Sequence, residues 1–359
     1  MSSRSQTAPD DQADRSGRGR HAGRTSRAWD APTRVRAGQG LLVALGLLAM
    51  VPAAVATALR IFPPTDDVPA LVASFIPYGL LFWLPSALFL TSAAVRARRS
   101  RAFARVSLLL FTLLALAGLL AAAVWQVPAF VPDNKAVTTK PLTLVSLNVR
   151  HGGADPEATA THAAGADVAM FVEATPAWVR SLPEKFRNEF PYAVGAPLQY
   201  DSGSVIFSRY PITSSEALPA SSFQQWSAIV NTPQLGSVRL VSVHPCNPYC
   251  GPGLWTAEHT ELRNWLERQD DMATIVAGDF NAVDDHGPMR DLYADGWRSA
   301  ANLAGAGFIR TYPANRRIPP LIGIDHVLLN SKLTATFFET FKVPGTDHLG
   351  VRAVIAGTG

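Results

Sequence analysis

Three uncharged stretches, Ala37 to Leu59, Val68 to Val95 and Val106 to Pro132, constrain this chain more than any other feature. Each can cross a hydrocarbon layer of roughly 30 Å at about 1.5 Å per helical residue. A buried core helix is the competing reading, but uncharged apolar runs beyond about 18 residues seldom have that origin. Between Arg36 and Asp133 the charges are confined to Arg60, Asp66, Asp67 and the block from Arg96 to Arg105. After Asp133 they spread evenly, and apolar runs shrink to the length of strands in a globular core, about five to seven residues. The expected organisation is a basic cytoplasmic tail over 1–36, a three-helix transmembrane anchor over 37–132 and a folded domain over 133–359.

Lysine and arginine near span ends mark the cytoplasmic side. The tail up to Arg36 and the loop RARRSRAFAR (Arg96 to Arg105) are basic, whereas the first interspan loop carries Asp66 and Asp67. Tail and second loop are therefore expected inside, which makes this a multi-pass cell-membrane protein with an extracytoplasmic C-terminal domain. Small residues at Ala54, Ala56 and Ala58 leave open a cleaved secretory signal in the first span. Cleavage would not change the side on which the domain lies. The tail, rich in Ser, Arg, Gly and Asp and poor in large apolar residues, is expected to be disordered, and its arginines to contact anionic lipid at most weakly.

The net charge of +4 suggests a polyanion partner until it is divided along the chain. Of 32 Lys and Arg, 14 precede Val127, and of 28 Asp and Glu, six do, so 18 basic and 22 acidic residues remain and the domain carries −4. It has no general attraction for polyanions. Two cysteines, Cys246 and Cys250, sit in the loop HPCNPYCGPG. Outside the cytoplasm such a pair favours a disulfide over free thiols, and zinc would need further ligands that no second pair supplies.

The domain alternates strand and helix signals. Apolar runs at Leu142 to Leu147, Val168 to Val172, Val205 to Phe207, Val238 to Val243, Ile275 to Ala277, Val327 to Leu329 and Val351 to Ile355 read as strands. Helical patterning covers Pro156 to Ala164, Pro176 to Leu182 and Thr256 to Arg268. Polar residues gather at the strand ends. Asn148 closes the first in SLNVRHGG, Glu173 the second in MFVEAT, and His244 the Val238 strand. Asp279 and Asn281 follow Ile275 in GDFN, Asp325 precedes Val327 in IDHV, and Asp347 and His348 precede Val351 in TDHLG. Each alone reads as a turn former, a cap or a buried polar group. Together they place carboxylates, amides and imidazoles on one rim of a sheet.

In order, SLNVR, FVEAT, SGSVIFSRYPI, VHP, GDFN, IDHV and TDHLG resemble the motif series of the endonuclease/exonuclease/phosphatase superfamily, from about Leu142 to Ile355. The resemblance implies a four-layer α/β sandwich, two packed mixed β-sheets flanked by helices, following the three transmembrane helices. It implies a divalent-metal-dependent phosphoester hydrolase of phosphodiesterase or nuclease type. Asn148, Glu173 and Asp347 would hold the metal, Mg²⁺ or else Mn²⁺, because hard oxygen donors suit such ions. His348 would be the general base, oriented by Asp325. Asp279 and Asn281 would position the attacking water, and His244 would donate to a non-bridging phosphate oxygen.

Other segments read as structural. SGSVIFSRYPI supports the cleft, Tyr312 in RTYPAN either lines the groove or packs in the core, and Asp284, Asp285 and His286 before Pro288 read as a helix start rather than a second metal cluster. No long basic or aromatic segment is evident to grip a duplex. The implied partners are a phosphoester substrate, either nucleic acid or a phospholipid head group, and the lipid bilayer, with no protein partner implied. Alternatives are a lipid head-group or sugar-phosphate phosphoesterase akin to sphingomyelinases, or an inactive surface binding module, although no ligand or base of the motif series is missing.

Overall fold

The computed structural model describes residues 30–65, 67–97, 102–219, 221–269 and 271–358. Residues 1–29 of the basic tail, with its expected disorder, and Arg98, Arg99 and Arg101 of the basic loop lie outside the described residues.

Helix α1 (Asp30–Ile61) is followed by the short α2 (Asp67–Ala73). Then α3 (Ile76–Leu81) and α4 (Trp83–Arg96) run on through Phe82, and α5 (Ala102–Gln126) ends in one 3-10 turn at Val127–Phe130. Among the described residues, three stretches are long and apolar enough to cross a membrane: Ala37–Ile61, Ile76–Arg96 and Ala102–Phe130. They pack on one another through Ala53, Ile76, Leu80, Trp83, Leu90 and Ala115. Their outward faces carry Leu48, Leu84, Leu113 and Leu120, all exposed, an apolar surface that water would not tolerate over such an area. One boundary differs from expectation. The run Val68 to Val95 is not one span, because the chain turns at Ser74 and Phe75 and α2 leaves the bundle. Ala70 is fully buried in the core of the C-terminal domain, so part of the apolar character of this segment serves protein packing.

The domain contains strands β1 (Leu142–Asn148), β2 (Val168–Val172), β3 (Tyr192–Ala196), β4 (Ser204–Ser208), β5 (Ile212–Ala217), β6 (Trp226–Thr232), β7 (Gly236–Val243), β8 (Ala273–Asp279), β9 (Arg298–Ser299), β10 (Asp325–Leu329), β11 (Leu333–Lys342) and β12 (Leu349–Gly357). They form two six-stranded sheets, ordered β11-β12-β1-β2-β4-β3 and β5-β6-β7-β8-β10-β9. Each is antiparallel except for one central parallel pair, β1 with β2 and β7 with β8. The period of two explains the packing. Leu142 and Leu144 of β1 enter the core between the sheets, while Val145 and Leu147 face the outer layer. Likewise Ile275 and Ala277 of β8 point inward and Val276 outward. Strands buried on both faces read as continuous apolar runs, which is how these segments stand out in the sequence.

Helices α6 (Pro156–Ala163), α7 (Pro176–Ser181) and α8 (Glu184–Glu189) cover the first sheet, and α9 (Leu254–Glu267) and α10 (Gly287–Ala294) the second. The short α11 (Ala300–Leu303) closes the inter-sheet core. This is the four-layer α/β sandwich. In α9, Trp255, His259, Leu262 and Leu266 recur at helical spacing on the buried face.

The sandwich sits on the end of the bundle formed by Ile61, Ile76 and Phe130, opposite Arg96. Arg60 pairs with Asp285, and Arg290 donates to the Arg60 carbonyl. His286 Nε2 lies 2.9 Å from the Ala70 carbonyl oxygen. Tyr78 donates to the Leu321 carbonyl at 2.6 Å, and Phe130 meets Phe308 edge to face at 4.9 Å. The Asp284–His286 segment does start a helix, with Pro288 in the first turn of α10, but Asp285 and His286 contact the N-terminal helices rather than cap, and Asp284 accepts from Tyr293. The expected disulfide is not formed: Cys246 is a buried thiol and Cys250 an exposed one. Burial pushes the Cys246 thiol up.

Candidate active site

The parallel pairs set the site. Strands β1, β2, β7 and β8 all end toward the same rim, and antiparallel pairing of Asp325 with Asp279 brings the start of β10 there too. Backbone turns then aim the side chains. Glu173 and Asn281 have left-handed φ of 57° and 48°, a conformation that L-residues hold only when the surroundings impose it. Gly278, at φ 149°, has its α-carbon so close to β7 that a Cβ would sit 2.0 Å from the Val243 carbonyl oxygen. Only glycine permits that approach, and it fixes the height of Asp279.

The polar groups form one connected chain. Asn148 Nδ2 donates to Glu173 Oε1 at 2.8 Å and to Asp279 Oδ2 at 3.0 Å, while its Oδ1 accepts from the Arg150 amide at 2.8 Å. Asp279 Oδ1 accepts from the Asn281 amide at 2.8 Å, and Asn281 Nδ2 donates to the Pro245 carbonyl at 3.0 Å. His348 Nε2 lies 3.7 Å from Asp279 Oδ2, and its Nδ1 bonds Asp325 Oδ2 at 2.9 Å. His244 Nε2 stands 3.8 Å from Asp279 and 3.9 Å from Glu173. Its ring stacks on Phe223 at 4.6 Å, and its Nδ1 is buried without a partner. Asp347 is linked through Arg150, whose Nε lies 3.4 Å from Asp347 Oδ2. All eight residues singled out in the sequence thus meet at one place. Asn148 and Asp325 lie beneath a cleft of about 400 Å³, and the other six line it.

Burial dominates the electrostatics. It raises the Glu173 carboxyl, against the opposing bond from Asn148 and the nearby His151. It raises Asp279 too, with the Asp325 charge adding to the effect and His348 opposing. It lowers His244, which is therefore a neutral imidazole at neutral pH. Around His348 burial opposes the cation, but the carboxylates of Asp325, Asp279 and Asp347 outweigh it and raise the ring to about 10. Ligand atoms of Asp279, Asp325 and His348 lie within 4.8 Å of one another, a grouping that could hold a metal ion.

Several lining residues were not singled out by sequence. Arg150 and His151, both in left-handed conformations, fold over Glu173, and His151 N donates to Glu173 Oε2 at 2.9 Å. The Gly-Gly pair that follows them is the signal that could have flagged this turn. Tyr312 does line the cleft, its ring 4.9 Å from that of His348. Leu71 and Ser74, from the anchor, form part of the wall, and nothing in their local sequence distinguishes them from span residues.

Two packed mixed sheets with a rim of acid, amide and imidazole groups define a phosphoesterase-type α/β sandwich. Residues 145–348, more than half of the chain, match the model of the Endonuclease/Exonuclease/phosphatase family, and the chain belongs to that family. Every activity in that name is hydrolysis of a phosphoric ester, and the protein is a phosphoric ester hydrolase of this family. No curated protein matches the chain in sequence. Solved structures similar to it include an endonuclease/exonuclease/phosphatase family protein from Leptotrichia buccalis C-1013-b, at 15% identity and TM-score 0.49, over 60% of this chain and 99% of that one. Another is D. rerio TDP2 complexed with a single-strand DNA product, at 18% identity and TM-score 0.49, over 60% and 98%. A third is the mannosyl-6-phosphatase Bt3783 of Bacteroides thetaiotaomicron VPI-5482, at 13% identity and TM-score 0.46, over 60% and 99%.

Proposed function

We propose that the protein is a divalent-metal-dependent phosphodiesterase displayed outside the cytoplasmic membrane, with Mg²⁺ or Mn²⁺ as its ion. The observation that carries this reading is the unbroken run of contacts from Glu173 through Asn148 and Asp279 to His348 and Asp325. The donor chemistry fits a hard cation. Carboxylate oxygens of Glu173 and Asp347 suit Mg²⁺. Asn148 would hold the Glu173 carboxylate through Nδ2 or, with its amide turned over, offer Oδ1. The Glu173 carboxyl, raised by burial, would gain from a neighbouring positive charge. The chemistry an ion would supply there is polarisation of the phosphoester and partial neutralisation of its charge.

The remaining work falls to the side chains. His244, neutral and with Nε2 directed toward Glu173 and Asp279, donates a hydrogen bond to a non-bridging oxygen. Asp279 and Asn281 orient the water. The proton of that water passes to the Asp279–His348 pair. The carboxylates of Asp325, Asp279 and Asp347 raise the His348 ring, and His348 Nε2 stands 3.7 Å from Asp279 Oδ2, so the two take the proton as a unit while Asp325 orients the ring. The base role expected of His348 is thereby shared with Asp279. Orientation outside the cytoplasm is supported by the basic tail and second loop. The full chain in detergent, supplied with Mg²⁺ or Mn²⁺ and screened against DNA, RNA, phospholipids and sugar phosphates, tests the reading. Hydrolysis of a diester that EDTA abolishes is expected, and no hydrolysis of any phosphoester would leave the binding-module alternative.

A further inference from the structure

A second cavity, about 230 Å³, opens beside the catalytic cleft, and the two share Ser74 and Ile322 in their walls. One side is the outer part of the second span, with Pro77, Tyr78 and Leu81, and the other is the domain, with Phe308, Ile309 and Leu321. Leu81 lies five residues into the span that begins at Ile76, roughly 7 Å along the helix axis at 1.5 Å per residue. With Ile76–Arg96 taken as membrane-spanning, that depth would face hydrocarbon. Its lining is largely apolar, the carboxylates of Asp284 and Asp285 being engaged by Tyr293 and Arg60, and Leu81 and Phe308 are exposed. Phe308 in turn packs on Phe130 at the end of the third span.

Exposed basic groups occur at the cavity and in the loop that returns to it. Arg310 lines the cavity and is exposed, with no ion pair among the described residues. Arg316, Arg317 and the exposed Ile318 follow in the loop that returns to Leu321, where Tyr78 of the span is hydrogen-bonded. Two arginines followed by an exposed isoleucine beside a span match a lipid interface, with charge at head-group level and an apolar side chain below it.

We propose that this cavity receives the hydrocarbon tail of a bilayer lipid whose phosphoester occupies the catalytic cleft, so that the anchor supplies one wall of the substrate site. The proposal rests on the phosphoesterase reading for the chemistry at the cleft, and it assigns the substrate class: an amphiphilic phosphoester that enters laterally from the membrane. A soluble phosphoester needs no apolar cavity beside the cleft.

The test uses the full chain in phosphatidylcholine and phosphatidylglycerol vesicles. Bis-(p-nitrophenyl) phosphate reports the cleft alone, and a long-chain fluorescent phosphatidyl diester reports cleft and cavity together. Filling the cavity with Leu81→Trp or Ile309→Trp should lower kcat/KM on the lipid at least ten-fold and leave the soluble diester within two-fold, which also shows that the variants fold. An unchanged ratio of the two rates overturns the proposal, as does hydrolysis of the soluble ester without the lipid. A readout independent of turnover is a phospholipid carrying a diazirine at its chain end, which should crosslink within Tyr78–Leu81 or Phe308–Ile309 and lose that crosslink in the filled variants. Crosslinks found only elsewhere overturn the cavity assignment even if the enzyme is active. Absence of turnover on both esters with crosslinks retained instead sinks the phosphoesterase reading and leaves the lipid site standing.

Discussion

Asp325 Oδ2 and His348 Nδ1 lie 2.9 Å apart, both residues are buried, and the opposite ring nitrogen faces Asp279 at 3.7 Å. A carboxylate on one nitrogen fixes which way the imidazole turns and supports its charged form. Asp325→Asn and His348→Ala should each lower kcat roughly 10²-fold, and the double variant should be little worse than the poorer single one, because the two act as a unit. Steady-state kinetics on the best diester checks this. Additive losses would mean that Asp325 and His348 act separately.

Glu173→Gln keeps the shape of the side chain and the bond from Asn148 while removing a charged oxygen donor. It should shift the Mg²⁺ concentration needed for half-maximal rate upward by about ten-fold or more, as loss of metal-site support commonly does, with much of the rate recovered at high Mg²⁺. Asp279→Asn should not be rescued in that way. A metal titration of both variants separates the roles, and identical titration curves would remove the distinction drawn between them.

His259 and His286 are buried, and burial lowers their imidazoles to about 3 and about 4. Both are neutral in the folded state and charge near 6.5 in the unfolded chain, so the unfolded state binds more protons as the pH falls. Their stabilising contribution is complete above about 6.5 and is lost progressively toward about 4 for His286 and about 3 for His259. At pH 5 each costs about 2 kcal/mol, from 1.36 kcal/mol per pKa unit. Melting in detergent should fall steadily from pH 7 to pH 5. His286→Gln should start from a lower Tm at pH 7 but fall less on acidification, whereas a parallel decline would mean that other groups set the acid limit.

The sided distribution of arginine predicts topology directly. A reporter that is active only outside the cytoplasm should work when fused after Gly359 and stay silent when inserted near Arg99. The reverse pattern would put the catalytic domain in the cytoplasm.

The site was legible because Asn148, Glu173, His244, Asp279 and Asp325 terminate or begin strands that are largely buried on both faces and leave clear apolar runs, while His348 precedes the alternating β12. Where a strand lacks that signature it escaped notice. The edge strand β5 reads ITSSEA and is mostly exposed, and β11 loses its alternation at the bulge between Ala335 and Phe337. Segment α2 was misread for another reason: an apolar residue that covers a protein core and one that faces lipid have the same composition, so Ala70 could not be told from a span residue. Leu71, Ser74 and Phe223 reach the cleft only through tertiary packing, which no local pattern encodes. Spacing and compartment favoured a bond between Cys246 and Cys250, yet both are free thiols, one buried and one exposed.

The burial of Ala70 against the domain has a practical corollary for anyone who would trim this protein to a soluble enzyme. A fragment that starts at Asp133 loses α2, which leaves His286 without its carbonyl partner, opens the core cluster around Trp255 and Met289, and strips Leu71 and Ser74 from the cleft. Anchor and hydrolase are therefore not interchangeable modules. Grafting the sandwich onto a foreign membrane helix would preserve its address while altering the vessel in which the reaction takes place.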